Sequence, residues 1–358
     1  MALIKSLKAY FLKRLTDKKL VDFNINKSNS FLFLRYDRIG DMLISTPVYR
    51  ALKLARPDSK IFVLASEANK EVLIDNPYVD KVIINHKNNI YRDFFGLLKL
   101  RKLRIDVCIE FDHSVVPHAI LRLRIIDPKI IISVKKDGRY GVVADDLKMY
   151  NFYTDKPRSF HFRSIWLNTI QPLGISSDSL EYDLFLNANQ EQLAINYLNQ
   201  FSAKCKIGIN LEGAVLGKKI HSNELKQICE GIQQINKNIQ IVILTAPEKI
   251  KKTSSIIAQM SLNYVAVSYQ TNSIQDVAAL IKNLDLIISP DTSIVHVASS
   301  FNKPIVSIHE NNRESYELFS PVSTLQKTVF SPSNKGISGF DVNKVIEYSN
   351  ELIREILQ

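Results

Sequence analysis

At 358 residues and 46% hydrophobic content, the chain suits two ordinary domains, each able to bury its own core. Three scattered cysteines, Cys108, Cys205 and Cys229, exclude a disulfide framework and a Cys-x-x-Cys metal site, and read as buried thiols in a reducing compartment. A net charge of +11 favours anionic partners, but no run of about 18 apolar residues is present to span a membrane, and the N-terminus lacks a signal peptide's pattern, so a cytoplasmic protein is expected.

The first predicted element lies within Met1 to Lys27. Lys5, Lys8, Lys13, Arg14, Lys18, Lys19 and Lys27 outnumber Asp17 and Asp22, and Leu3, Ile4, Leu7, Tyr10, Phe11 and Leu15 recur at near-helical spacing. This is the pattern of a basic amphipathic helix. It can lie on an anionic inner-membrane surface, or pack on the first domain with a solvated basic edge.

An apolar run, Phe31 to Leu34, then enters a turn crowded with charge, and Met42 to Leu54 leaves it with helical periodicity. The turn holds Arg35, Asp37, Arg38 and Asp41, with Gly40 before the last of them. In an open α/β sheet, ligands bind at the carboxyl ends of strands. These charges are therefore site candidates, although Asp41 could equally serve to cap the helix and the arginines to solvate the surface.

Further strands are predicted at Lys60 to Ala65, Lys81 to Asn85, Asp106 to Phe111 and Lys129 to Val134. Lys99, Arg101, Lys102 and Arg104 end a helix between two of them, where cations favour the dipole or meet an acidic acceptor. Lys135 to Asn189 is polar and irregular, and the domain boundary is placed near Asn187. The expected organisation is a helix over 1–28, a first domain over 29–187, and a second over 188–358 whose last helix can return to the first.

Beyond that boundary, strands are predicted at Lys206 to Leu211, Gln240 to Thr245, Tyr264 to Val267, Leu284 to Ser289 and Pro304 to His309. Helical stretches separate nearly all of them, which argues for βαβ units and two parallel, doubly wound sheets. Ser289-Pro290-Asp291-Thr292-Ser293-Ile294-Val295-His296 repeats the strand, turn and helix theme. Thr292 and Ser293 would place hydroxyls and N–H groups at a helix N-terminus, an anion site suited to a diphosphate. The plainer reading makes Asp291 or Thr292 a cap and His296 a core histidine.

Several other chemistries fail. Gly213-Ala-Val-Leu-Gly217-Lys218 is one residue too short for a P-loop and has Lys219 where Ser or Thr must bind magnesium. No Gly-x-Gly-x-x-Gly follows a strand, and no His-Glu-x-x-His or carboxylate cluster has metal-ligand spacing. Neither a metal nor a cofactor is expected, and no nucleic-acid partner.

Together the two turns resemble glycosyltransferase family 9, the ADP-heptose lipopolysaccharide heptosyltransferases. Arg35, Asp37, Gly40, Asp41, Thr46 and Pro47 meet the Arg-x-Asp-x-x-Gly-Asp-x-x-x-x-Thr-Pro signature, and Asp291, Thr292 and His296 meet Asp-Thr-Gly-x-x-His. The segment Ile207 to Ala214, followed by Lys218-Lys219-Ile220-His221, is similar to the family's strand, glycine turn and Lys-x-Trp-Pro. Ser293 replaces a usual glycine, and Ile220-His221 replaces Trp-Pro.

The resemblance implies a GT-B fold, two Rossmann-like domains facing a central cleft. It also implies inverting transfer from a nucleotide sugar, most simply ADP-heptose, to a lipopolysaccharide core or related glycolipid. Asp41 would then be the general base, with Arg35, Asp37 and Arg38 near the acceptor. Lys218, Gly213, Asp291, Thr292, Ser293 and His296 would hold the donor, its diphosphate neutralised without metal, and Glu248 would bind the ribose or simply open a helix. A sugar-nucleotide epimerase or hydrolase, and a polyanion-binding protein, are the rival functions.

Overall fold

The computed structural model describes residues 2–18, 22–157, 160–213 and 217–358, with backbone alone for 2–6. Lys19, the side chains of Leu3, Ile4 and Lys5, and residues 214–216 of the glycine–lysine segment lie outside the described residues. The chain divides into two compact units, Met1–Asp183 and Leu184–Gln358.

The first unit runs α1 (Ala2–Thr16), β1 (Ser30–Leu34), α2 (Ile39–Ala55), β2 (Lys60–Ser66), β3 (Lys81–Asn85), α3 (Ile90–Lys102), β4 (Val107–Glu110), α4 (Pro117–Ile126), β5 (Ile130–Val134), β6 (Phe152–Thr154) and α5 (Phe162–Leu167). Its six strands are ordered β3-β2-β1-β4-β5-β6, all parallel. Alternate residues of β1 serve opposite faces, as strand geometry requires. Leu32 and Leu34 join a core with Leu12 of α1, Leu97 and Leu100 of α3, and Ile120, Leu123 and Ile126 of α4. Phe33 instead meets Tyr49 of α2 edge to face and stacks on Phe111.

The second unit runs α6 (Ala188–Leu198), β7 (Cys205–Asn210), α7 (Ser222–Ile235), β8 (Ile239–Leu244), α8 (Ile250–Met260), β9 (Val265–Val267), α9 (Ile274–Asn283), β10 (Leu286–Pro290), α10 (Ser293–Ser300), β11 (Ile305–His309), α11 (Arg313–Phe319), β12 (Gln326–Phe330) and α12 (Val342–Leu357). The order β12-β11-β10-β7-β8-β9 repeats the plan of the first sheet. α12 packs on α7 and on β10, β11 and β12 of its own sheet. All three cysteines are buried and free.

Each sheet carries one strand more than its sequence pattern predicts. β6 is a three-residue edge strand inside the polar stretch, paired only through Ile132 to Val134. β12 pairs along β11 from Gln326 to Phe330, and its alternation is masked by Gln326 and Lys327. Among the described residues, no helix is long and apolar enough to cross a membrane.

Candidate functional site

Strand order locates one ligand edge in each unit. In the first, the connections leave β1 and β4 in opposite directions, so the segments after these adjacent strands open a crevice at their carboxyl ends. β7 and β10 form the equivalent point of the second unit.

After β1, Arg35 turns inward instead of meeting solvent. It is only 3% exposed, with its guanidinium carbon 4.0 Å from the Trp166 ring centre and 4.7 Å from that of Phe111. Its Nη1 donates to the Asp37 carboxylate at 2.9 Å. A buried cation needs such partners, because desolvation without them is costly. Arg35, expected near the acceptor, is thus buried and anchors Asp37, which leaves Asp37 and Arg38 as the exposed charges of the turn. Arg38 is the N-cap of α2, and its backbone N–H donates to Asp41 at 3.3 Å. The capping role and a chemical role are compatible, since Asp41 sits half-buried in the first helical turn at the strand edge.

The Thr-Pro pair has a structural reason. Pro47 lies inside α2 and cannot donate to the carbonyl of Leu43. Thr46 Oγ1 donates to that carbonyl at 2.7 Å, and itself accepts from the Asp183 N–H at 2.8 Å. The helix carrying Asp41 therefore continues through a proline without an orphaned acceptor.

Sequence reasoning missed the other side of this crevice. Glu110 ends β4, is 1% exposed, and pairs with Lys136 at 2.5 Å while accepting from Tyr150 Oη at 3.0 Å. Burial, then the neighbouring Glu110 carboxylate, push the Asp112 carboxyl up to about 6. Burial also raises Asp37, with Arg35 opposing and Asp112 adding to the rise. An aspartate two residues beyond a strand was the available signal. Its meaning depended on Lys136 and Arg35, which are remote in sequence.

Asp112 makes a pH prediction with a definite sign. The folded state holds its proton more tightly than the unfolded chain, whose ordinary value is 3.8. Its contribution to stability must then fall as pH rises from about 4 to about 6, and stay low above. Asp112→Asn should melt higher than wild type at neutral pH, with the gap closing on acidification through that window. A gap independent of pH in thermal melts would show that Asp112 keeps an ordinary carboxyl.

In the second unit, the expected donor residues largely converge. Thr292 caps α10, accepting from the Ile294 N–H at 3.3 Å and from Asn210 Nδ2 at 3.1 Å. Gly213 lies against it, and a Cβ there would come within 2.5 Å of Thr292 Cγ2. Lys218 Nζ donates to the Asp291 carboxylate, and its carbonyl accepts from the Gly213 N–H at 3.2 Å. The preceding Gly217, at φ +87°, is held by the Ile337 N–H at 2.9 Å.

Asp291 would be raised by burial, but His309, Lys218 and His296 together lower it. Burial drives His309 down to about 4, so at neutral pH the cation opposite Asp291 is Lys218. Ser293 opens α10 and is not among the described residues with positive φ, so its side chain causes no backbone strain there. His296 is buried in α10. Glu248 is exposed in the turn Pro247–Lys249, and no contact among the described residues joins it to the Lys218–Asp291 group. Asn210 and His309 complete that group and were not anticipated.

Known proteins resemble this chain over most of its length. The family model described as "Glycosyltransferase family 9 (heptosyltransferase)" matches residues 99–342, a span that begins after the first charged turn. A curated Escherichia coli (strain K12) protein, "Putative lipopolysaccharide heptosyltransferase 4", is 22% identical over 83% of this chain and 80% of its own length. The crystal structure of the glycosyl transferase family 9 from Veillonella parvula DSM 2008 has a TM-score of 0.75 at 18% identity, covering 94% of this chain and 100% of its own. The E. coli heptosyltransferase WaaC with ADP has a TM-score of 0.67 at 16% identity, covering 90% and 99%. The two solved structures share the fold of this chain.

Proposed function

This chain belongs to glycosyltransferase family 9 and is a glycosyltransferase, and from that premise we propose that it moves heptose from ADP-heptose onto a hydroxyl of a lipopolysaccharide core or related glycolipid. The acceptor oxygen attacks the anomeric carbon as the bond to the diphosphate breaks, in one displacement that inverts the centre. Asp41 takes the proton of the attacking hydroxyl. Negative charge developing on the diphosphate falls on Lys218 and on the N–H groups opening α10, so no metal ion is needed.

The observation that carries this reading is the Lys218–Asp291 pair beside the capped N-terminus of α10, at the β7/β10 switch point. Asp291 holds the ammonium in place, and the crowded Gly213 lets backbone pass close to Thr292. The adenine and heptose of the donor are carried over from the names of the relatives, one a lipopolysaccharide heptosyltransferase and one solved with ADP.

The deciding experiment is a thermal-shift screen of nucleotide sugars. A true donor at 100 times its Kd adds about 2.7 kcal/mol. Stabilisation by ADP-heptose supports the assignment, whereas a response only to a uridine or guanosine sugar would replace the donor and keep the family. Lys218→Ala should lower kcat/KM by roughly 10- to 100-fold, as expected for a lost charge-assisted bond, and raise the donor KM as well. Wild-type turnover after EDTA treatment completes the prediction. A strict magnesium requirement would refute neutralisation by Lys218.

A further inference from the structure

Three helices cover one face of the first sheet, and their outer sides remain apolar. α4 packs against both α1 and α3. Each helix sends one stripe inward: Leu12 from α1, Leu97 and Leu100 from α3, Leu123 from α4. A different stripe points away from the sheet. Leu7, Tyr10 and Phe11 lie along α1, Leu121 on α4, and Tyr91 and Phe95 on α3, with exposures from 48% to 79%. Six large apolar side chains on one helical layer are more than the scattered exposure usual for soluble proteins.

Charge on this layer is one-sided. Arg14, Lys99, Lys102 and Arg124 are exposed toward the C-terminal ends of the same three helices. The layer's carboxylates are already matched, Asp17 to Arg14, Asp93 to Arg122, and Asp127 to Lys18 and Arg101. No ion pair holds Lys99, Lys102 or Arg124 among the described residues. Spacing joins the two features. Tyr91, Phe95, Lys99 and Lys102 fall at i, i+4, i+8 and i+11, one face of α3.

We propose that the outer face of the α1–α4–α3 layer docks on an anionic phospholipid bilayer, its aromatic stripe entering the headgroup boundary and its basic ends meeting lipid phosphates. Aromatic rings with flanking cations suit that boundary, where one part of the surface is apolar and the other wet and negative. The N-terminal helix packs on the first unit, one of the two roles expected for it. Lys8 lies over the Tyr140 ring at 3.7 Å, and Lys13 pairs with Asp146 at 2.6 Å, so much of its charge is used within the unit. α1 is one third of a surface and not a separate anchor, and deleting it would remove buried Leu12 and Thr16 from the fold.

The test uses the full chain with vesicles of phosphatidylethanolamine and phosphatidylglycerol, against vesicles of phosphatidylcholine alone. Wild type should sediment with the anionic vesicles and be released by high salt. Tyr91→Ser/Phe95→Ser, and separately Lys99→Gln/Lys102→Gln, should each weaken binding on the order of 10-fold or more, at about 1 kcal/mol per cation for the latter pair. Both pairs are exposed, so melting temperature and turnover with a short soluble acceptor should not change. Equal sedimentation of wild type and both variants would overturn the proposal. So would a dimer that Tyr91→Ser/Phe95→Ser converts to monomer, assigning the face to a second copy. Absence of turnover of ADP-heptose with the soluble acceptor in wild type would count against the proposed donor and acceptor and leave the vesicle result standing.

Discussion

Asp41→Asn should reduce kcat by about 10² to 10⁴ while leaving the donor's thermal shift intact. The carboxylate sits at the third position of α2, exposed enough to reach an acceptor hydroxyl and fixed by the Arg38 N–H. Asparagine preserves shape and much of that capping bond but cannot take a proton, so the loss belongs in kcat and not in donor affinity. Asp37→Asn is the informative comparison. Its carboxylate is held by buried Arg35, so it should disturb acceptor KM more than kcat. If Asp41→Asn keeps full turnover, Asp41 is only a cap, and Asp37 becomes the leading base.

The second large effect concerns stability. Lys136→Ala should cost roughly 3 to 5 kcal/mol, because it strands a buried carboxylate. Both side chains are 1% exposed, and Tyr150 and Ser133, which also donate to Glu110, are neutral and do not replace the ammonium. Glu110→Gln added to Lys136→Met should recover part of the loss, since no unpaired charge is then left behind. Calorimetry on the four proteins measures this directly. A loss under about 1 kcal/mol in Lys136→Ala would mean that Glu110 takes up a proton or gains water, and that the pair is not what holds β4 to β5 at this edge.

These two predictions differ in how far sequence could have led to them. Asp41 and the Asp291 turn were legible because a charged turn between an apolar run and a helical period is a local pattern. Strand periodicity located β1 to β5 and β7 to β11 for the same reason. Lys136 was not legible. It lies in a stretch that reads as irregular, and its partner Glu110 is 26 positions away. β6 was missed because a three-residue edge strand leaves no period to detect. The burial of Arg35 was not legible, because sequence shows its charge but not the rings of Phe111 and Trp166 that cover it. Asn210 and His309 look like ordinary strand ends until β7, β10 and β11 are set side by side.

Trp166 is the chain's single tryptophan, and it rests against Arg35, Phe111 and Phe162. Light absorbed selectively by indole is therefore emitted from the first unit alone, and the second unit is dark at that wavelength. An unfolding curve followed by this emission traces the loss of one sheet, whereas far-ultraviolet circular dichroism weighs both. Superimposed curves would mean that Met1–Asp183 and Leu184–Gln358 melt as one cooperative body, and separated curves that each melts on its own. One buried ring thus makes the coupling between the two units an optical measurement that requires no label.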